Sequence, residues 1–282
     1  MSSYNQLHKQ LTTIFAPLNT MAASTALPPR SSLSKSLEKI INRTPPRTSN
    51  VDLEVAKYFA TGAVEVWHRA VHSFLISASL SEASPIWASV SGYYSSHYSI
   101  RAFAHLLGYF HLFKRKLIVR LEIHNGRFVC AFDKKKGEDR EHRFYWKIVK
   151  DHSHFREDPL FSDNVAVSDV SDVGHRNLAN YVDHLGRYPN FQALDVNYLK
   201  RRIQFISRIQ FDMPPIPRLD NFPDVDNVQV VAYHRIVKFR DFLDQTLGSS
   251  NRFWSVYRNP PWASGMTDFQ LTKSGNLEIL RN

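Results

Sequence analysis

The sequence predicts a mainly α protein: an antiparallel helical bundle carrying an inserted three-stranded antiparallel β-meander. Three observations predict it. Two long stretches, 51–80 and 85–111, repeat apolar residues at helical spacing across a short turn, which favours antiparallel packing. The spacing then changes to alternation on both sides of Asn125-Gly126, the dipeptide of a two-residue hairpin turn. Helical spacing returns at 171–186, 195–211 and 226–247.

The elements follow in chain order. Residues 1–50 form a basic, Pro- and Ser-rich N-terminal arm, with short helices expected at 4–15 and 32–42 between the proline breaks. No acid precedes Glu38, as in an organelle transit peptide, but Arg30 is the only arginine among the first forty residues, and a loosely docked arm is expected instead. A helical domain spans 51–250. Asn50 is the expected N-cap of its first helix, with Asp52 and Glu54 in the first turn suiting the helix dipole. Leu53, Tyr58, Val64, Trp67, Val71 and Leu75 fall on one broad apolar face. Ser84-Pro85 supplies the cap and first residue of the second helix, which is expected to run to about His111.

The β insertion covers about 115–150. Its hairpin register sets Ile123 opposite Phe128, Leu121 opposite Cys130 and Val119 opposite Phe132, all on one apolar face. The stretch "HRFYWKIVK" alternates again and supplies the third strand, with Phe144, Trp146 and Ile148 inward. The reverse face would then show Arg120, Arg127, Arg143, Tyr145 and Lys147. After a loop at 151–170, Pro214, Pro215 and Pro217 separate the last two helices, and Gly248 is a natural C-cap. Residues 251–282 are expected as an irregular aromatic tail packed on the bundle.

Composition limits the function. With 43% apolar and 13% aromatic residues in 282, the chain can build a sizeable core. No apolar run approaches the ~20 residues of a bilayer span, so no membrane is expected as a partner. Cys130 is the sole cysteine, which excludes an intrachain disulfide and a Cys-rich zinc site and favours a cytoplasmic setting. The formal charge of +10 is uneven: residues 114–150 hold twelve Lys/Arg against five Asp/Glu. That block suggests an anionic partner, nucleic acid first, with a merely solubilising basic surface as the rival reading. On the first reading Arg120, Arg143 and Lys147, a stacking Tyr145 and the loop cations Lys134, Lys135 and Lys136 would hold the nucleic-acid backbone.

Within 91–110, "SGYYSSHYSIRAFAHLLGYF", Tyr94, His97, Arg101 and His105 fall near one helical stripe. Imidazoles beside a guanidinium suit phosphate chemistry, whereas a helix interface would use the same residues as partnered polar tips. His68 and His72 have metal-bridging spacing but lack the glutamate of the zinc-protease pattern, and no metal or other cofactor is expected.

The segment "SGYYSSHYSIRAFAHLLG" resembles the signature helix of the HEPN superfamily (higher eukaryotes and prokaryotes nucleotide-binding). A second segment, "GHRNLANYVDHLGRYPNF" at 174–191, is similar to a later helix of one branch: Arg176, Ala179 and Tyr181 match, and Asn180 stands where that branch carries Asp. The resemblance implies a helical domain that often dimerises, acting on or binding RNA, in many members as a metal-independent ribonuclease of prokaryotic defence or toxin–antitoxin systems. That nuclease branch carries Arg and His with four to six residues between them. No Arg–His pair here has this spacing: Arg101…His105 has three and Arg176…His184 seven. If the chain cleaves RNA, Arg176 and Arg101 would bind phosphate, with His175, His97, His105 or His184 moving protons around attack by the 2′-OH. Two other readings stay open: a non-catalytic helical scaffold, as a homodimer or bound to a partner protein, and a charge-driven nucleic-acid binder without chemistry.

Overall fold

A computed structural model describes residues 3–20, 30–41, 46–112, 115–134, 141–161, 196–209, 225–248 and 250–258. Among the described residues the fold is mainly α with one antiparallel sheet. Its helices are α1 (Ser3–Phe15), α2 (Arg30–Ile41), α3 (Leu53–Ser79), α4 (Pro85–Leu106), α5 (Glu141–Asp151), α6 (Val196–Arg208), α7 (Val225–Leu247) and α8 (Arg252–Tyr257). Strands β1 (Thr48–Asn50), β2 (Tyr109–Leu112), β3 (Leu117–His124) and β4 (Arg127–Lys134) lie in the order β1-β4-β3-β2, each neighbour antiparallel. The chain divides into two compact units. The first comprises Met1–Val66, Ile100–Glu157 and Phe242–Tyr257, the second Trp67–Ser99, Asp158–Asp241 and Arg258–Asn282.

In the first unit the hairpin forms in the expected register, with Val119, Leu121 and Ile123 opposite Phe132, Cys130 and Phe128. Asn125 (φ 50°) and Gly126 (φ 77°) take the left-handed conformation that a type I′ turn needs at both central positions. Cys130 is core, and burial pushes its thiol up to about 12. Two expectations fail around this hairpin. The second helix stops at Leu106 rather than His111, because Gly108 turns the chain at φ 84° and its carbonyl accepts from the Leu121 amide at 2.8 Å. Residues 109–112 therefore join the sheet as β2, beside β3.

The expected third strand is a helix, α5. Its sequence also repeats at helical spacing, since Phe144, Tyr145 and Val149 are buried while Arg143 and Lys147, four apart, are exposed. Short apolar runs satisfy both periods, and here the helical one wins. Asp52, not Asn50, caps α3: its Oδ1 accepts from the Val55 amide at 3.0 Å, while Asn50 pairs with Val129 in the sheet. The N-terminal arm is more tightly held than expected. Leu7, Leu11, Ile14, Phe15 and Leu18 are buried, and the Phe15 ring lies 5.9 Å from Phe253 of α8.

The second unit is helical. Ser77 Oγ donates to the Ala88 carbonyl at 2.6 Å and Ser95 Oγ to the Ala70 carbonyl at 2.8 Å, tying α3 to α4. Wholly buried Gln229 of α7 donates to the Ser77 carbonyl at 2.8 Å. Gly92 allows this closeness: a Cβ there would stand 2.7 Å from Val228 Cγ1. Trp67 anchors α7 by stacking on Phe239 and donating from Nε1 to the Ile236 carbonyl at 3.1 Å. Arg202 of α6 bonds Asp226, and its Nε donates to Gln229 Oε1 at 3.0 Å. Helix α7 runs on into the first unit, where Gly248 (φ 68°) ends it as expected. The expected helix at 171–186 and most of the C-terminal tail lie outside the described residues.

Candidate functional site

Helix α4 runs unbroken through the tyrosine-rich segment, so its candidate residues do share one helix. They divide between the units: Tyr94 and His97 belong to the second, Arg101 and His105 to the first. All three candidate cations and bases on this helix are buried. The His97 ring stacks nearly parallel on Tyr93, with centroids 6.4 Å apart, and lies 5.8 Å from Tyr98. Both rings belong to α4 itself, and His97 is buried.

Arg101 and His105 do come together. The Arg101 side chain is 7% exposed, and its guanidinium sits 5.0 Å from the centroid of the Tyr145 ring. Such placement offsets part of the cost of burying a cation. His105, 2% exposed, packs against Phe110 at 5.4 Å and against Tyr145 at 5.7 Å. Its Nδ1 lies 2.8 Å from the Tyr109 carbonyl, so Nδ1 carries the proton and donates it. Burial, reinforced by the Arg101 charge and opposed by the bond to Tyr109, lowers its pKa to about 3. At neutral pH this is an uncharged imidazole screened from solvent. It joins α4 to β2 and α5 through the Tyr109 carbonyl, Phe110 and Tyr145.

Tyr145 corrects the expectation of an exposed stacking ring. It is wholly buried because α5 turns it inward, and its hydroxyl accepts from the His111 amide at 3.3 Å. The exposed members of the basic block remain in the first unit. Arg143 and Lys147 are exposed on α5, and Lys134 is exposed at the end of β4. The sheet register sets Lys134 across from Leu117, so exposed Arg115 and Lys116 approach the same end of the sheet. Arg120, half-exposed on β3, is engaged by Glu122, which also meets His124 at 2.6 Å. Lys135, Lys136, His175, Arg176 and His184 lie outside the described residues.

Sequence reasoning passed over one basic element. Helix α6 contains Lys200, Arg201, Arg202 and Arg208 and no acid. Its charge was averaged away in a near-neutral C-terminal half. Counting charge element by element would have found it. Among the described residues no group of His, Cys, Asp and Glu is arranged to hold a metal ion, and no helix is long and apolar enough to cross a membrane. No protein-family model, curated protein or solved structure matches the chain.

Proposed function

We propose that the chain is a HEPN-like helical protein that binds RNA through exposed cations of its first unit, with the buried Arg–His stripe of α4 serving as scaffold. The observation that carries this reading is the separation of roles within one charge-rich region. Arg101 and His105 are sequestered around Tyr145, whereas Arg115, Lys116, Lys134, Arg143 and Lys147 face solvent. Arginine and lysine in excess over acids, twelve to five across 114–150, attract a polyphosphate backbone and release its counterions. The HEPN likeness rests on the tyrosine-rich segment lying in a single long helix. The segment around Arg176 enters through its sequence alone, and no chemistry is assigned to it.

The test is incubation with end-labelled single-stranded RNA, with and without chelator, at several salt concentrations. Intact RNA retained in a salt-sensitive manner supports the proposal. Cleavage abolished by Arg101→Ala, in protein that melts normally, overturns the scaffold role of α4.

A further inference from the structure

Helix α6 sets an exposed aromatic ring among exposed cations in the second unit. Phe205 is 48% exposed, a large apolar ring left in water on a helix whose other face buries Leu199, Ile203 and Ile206. Arg201 and Arg208 are exposed four residues before and three after it. At 100° per residue the three side chains fall within about 60° of one another around the axis, over about 10 Å of its length. Arg202 is placed differently. The Arg202 guanidinium lies over the Phe205 ring at 5.4 Å, while its nitrogens bond Asp226 and Gln229 of α7.

We propose that this face is a stacking site for single-stranded RNA, in which an unpaired base lies on Phe205 and the neighbouring phosphates meet Arg201 and Arg208. The geometry supplies the parts such a site needs. Arg202, held from α7, packs against the ring, and the half of Phe205 that stays exposed offers aromatic surface to a base. Cations on both sides of the ring along the helix match a backbone that passes over it. Charge selects this occupant over others. An apolar protein partner would require a contiguous apolar patch, whereas Phe205 is flanked along its stripe by cations. A lipid surface would require a broad apolar helix face, and here that face is buried within the unit. A duplex hides its base faces, so the site discriminates unpaired from paired RNA.

The site lies in the second unit and does not depend on the first unit's cations, although both take RNA as partner. The experiment uses single-stranded RNA carrying 2-aminopurine, the same RNA in a duplex, and anionic phospholipid vesicles. A base that leaves its neighbours to stack on the ring changes 2-aminopurine fluorescence. Phe205→Ala is expected to weaken single-strand binding about ten-fold and to abolish that change, with duplex binding unchanged. Phe205→Trp should keep both, and Phe205→Leu, which keeps apolar bulk without a ring face, should behave like Phe205→Ala. Thermal melts of each variant should match the native protein, since the ring is exposed.

Single-strand affinity unchanged in Phe205→Ala overturns the site, as does full affinity in Phe205→Leu or an equal loss on duplex. Phe205-dependent attachment to vesicles without Phe205-dependent RNA binding assigns the face to membrane surfaces instead. The two proposals fail separately. Loss of binding on Arg143→Ala/Lys147→Ala with none on Phe205→Ala overturns only the α6 site, and the reverse pattern overturns only the role of the first unit.

Discussion

The Arg101 guanidinium lies over the Tyr145 ring, and the same ring meets His105 edge-on one helical turn away. One tyrosine on α5 thus organises two of the three catalytic candidates that the α4 sequence offers, His97 being the third. Tyr145→Ala should therefore act on stability, costing about 3–5 kcal/mol in urea unfolding by analogy with other buried aromatic rings. Arg101→Met should leave RNA affinity unchanged. A weakened RNA complex in a variant that unfolds normally would place Arg101 in the binding surface.

Acid should destabilise the fold through His105. In the unfolded chain this ring gains a proton as pH falls below 6.5, while the folded ring stays neutral down to about 3. The unfolded state therefore binds more protons across that window, and stability falls as pH drops, by about 1.4 kcal/mol per pH unit for one such group. His152 and His234 are also lowered by burial and act in the same direction. Urea titrations at pH 7 and pH 5 measure the loss, and His105→Gln, which cannot titrate, should make it smaller.

Gly108 fixes the exit from α4. A Cβ there would stand 2.7 Å from the Leu121 carbonyl oxygen, and the residue already sits at φ 84°. Gly108→Ala meets both the backbone clash and the left-handed penalty, so a loss of about 2 kcal/mol or more is expected. Gly126→Ala, with open space around it, carries only the conformational penalty and should cost less. Thermal unfolding of the two variants side by side checks the order.

The cap of α3 separates two neighbouring residues. Asp52→Ala should cost about 1 kcal/mol by removing the acceptor for the Val55 amide. Asn50→Ala should cost less, because Asn50 joins the sheet through its backbone. Equal losses in chemical denaturation would contradict this assignment.

Much of the fold was legible because local signals agreed with one another. Ser84-Pro85, Asn125-Gly126 and Gly248 each impose backbone geometry through their own chemistry, and each sits where its geometry is used. Alternation failed at 142–150, where Phe144, Tyr145 and Val149 fit a helix as well as Phe144, Trp146 and Ile148 fit a strand. Residues 109–112 could not be recognised as β2, since a four-residue edge strand carries no period of its own and depends on pairing with β3. For the site, residue types on α4 were readable but their burial was not. Burial depends on which elements cover the helix, and α5, which covers Arg101 and His105, was itself misassigned. Phe205 escaped notice for the opposite reason: an aromatic at helical spacing reads as core, and only the structure shows it in water.

The most direct test of the account is the salt dependence of single-stranded RNA binding, compared between the native protein and Arg143→Ala/Lys147→Ala. Two lost phosphate contacts should weaken binding at low salt and make the slope of log K against log salt shallower by about 1.4. Equal affinity and equal slope in the two proteins, with both folded, would contradict it.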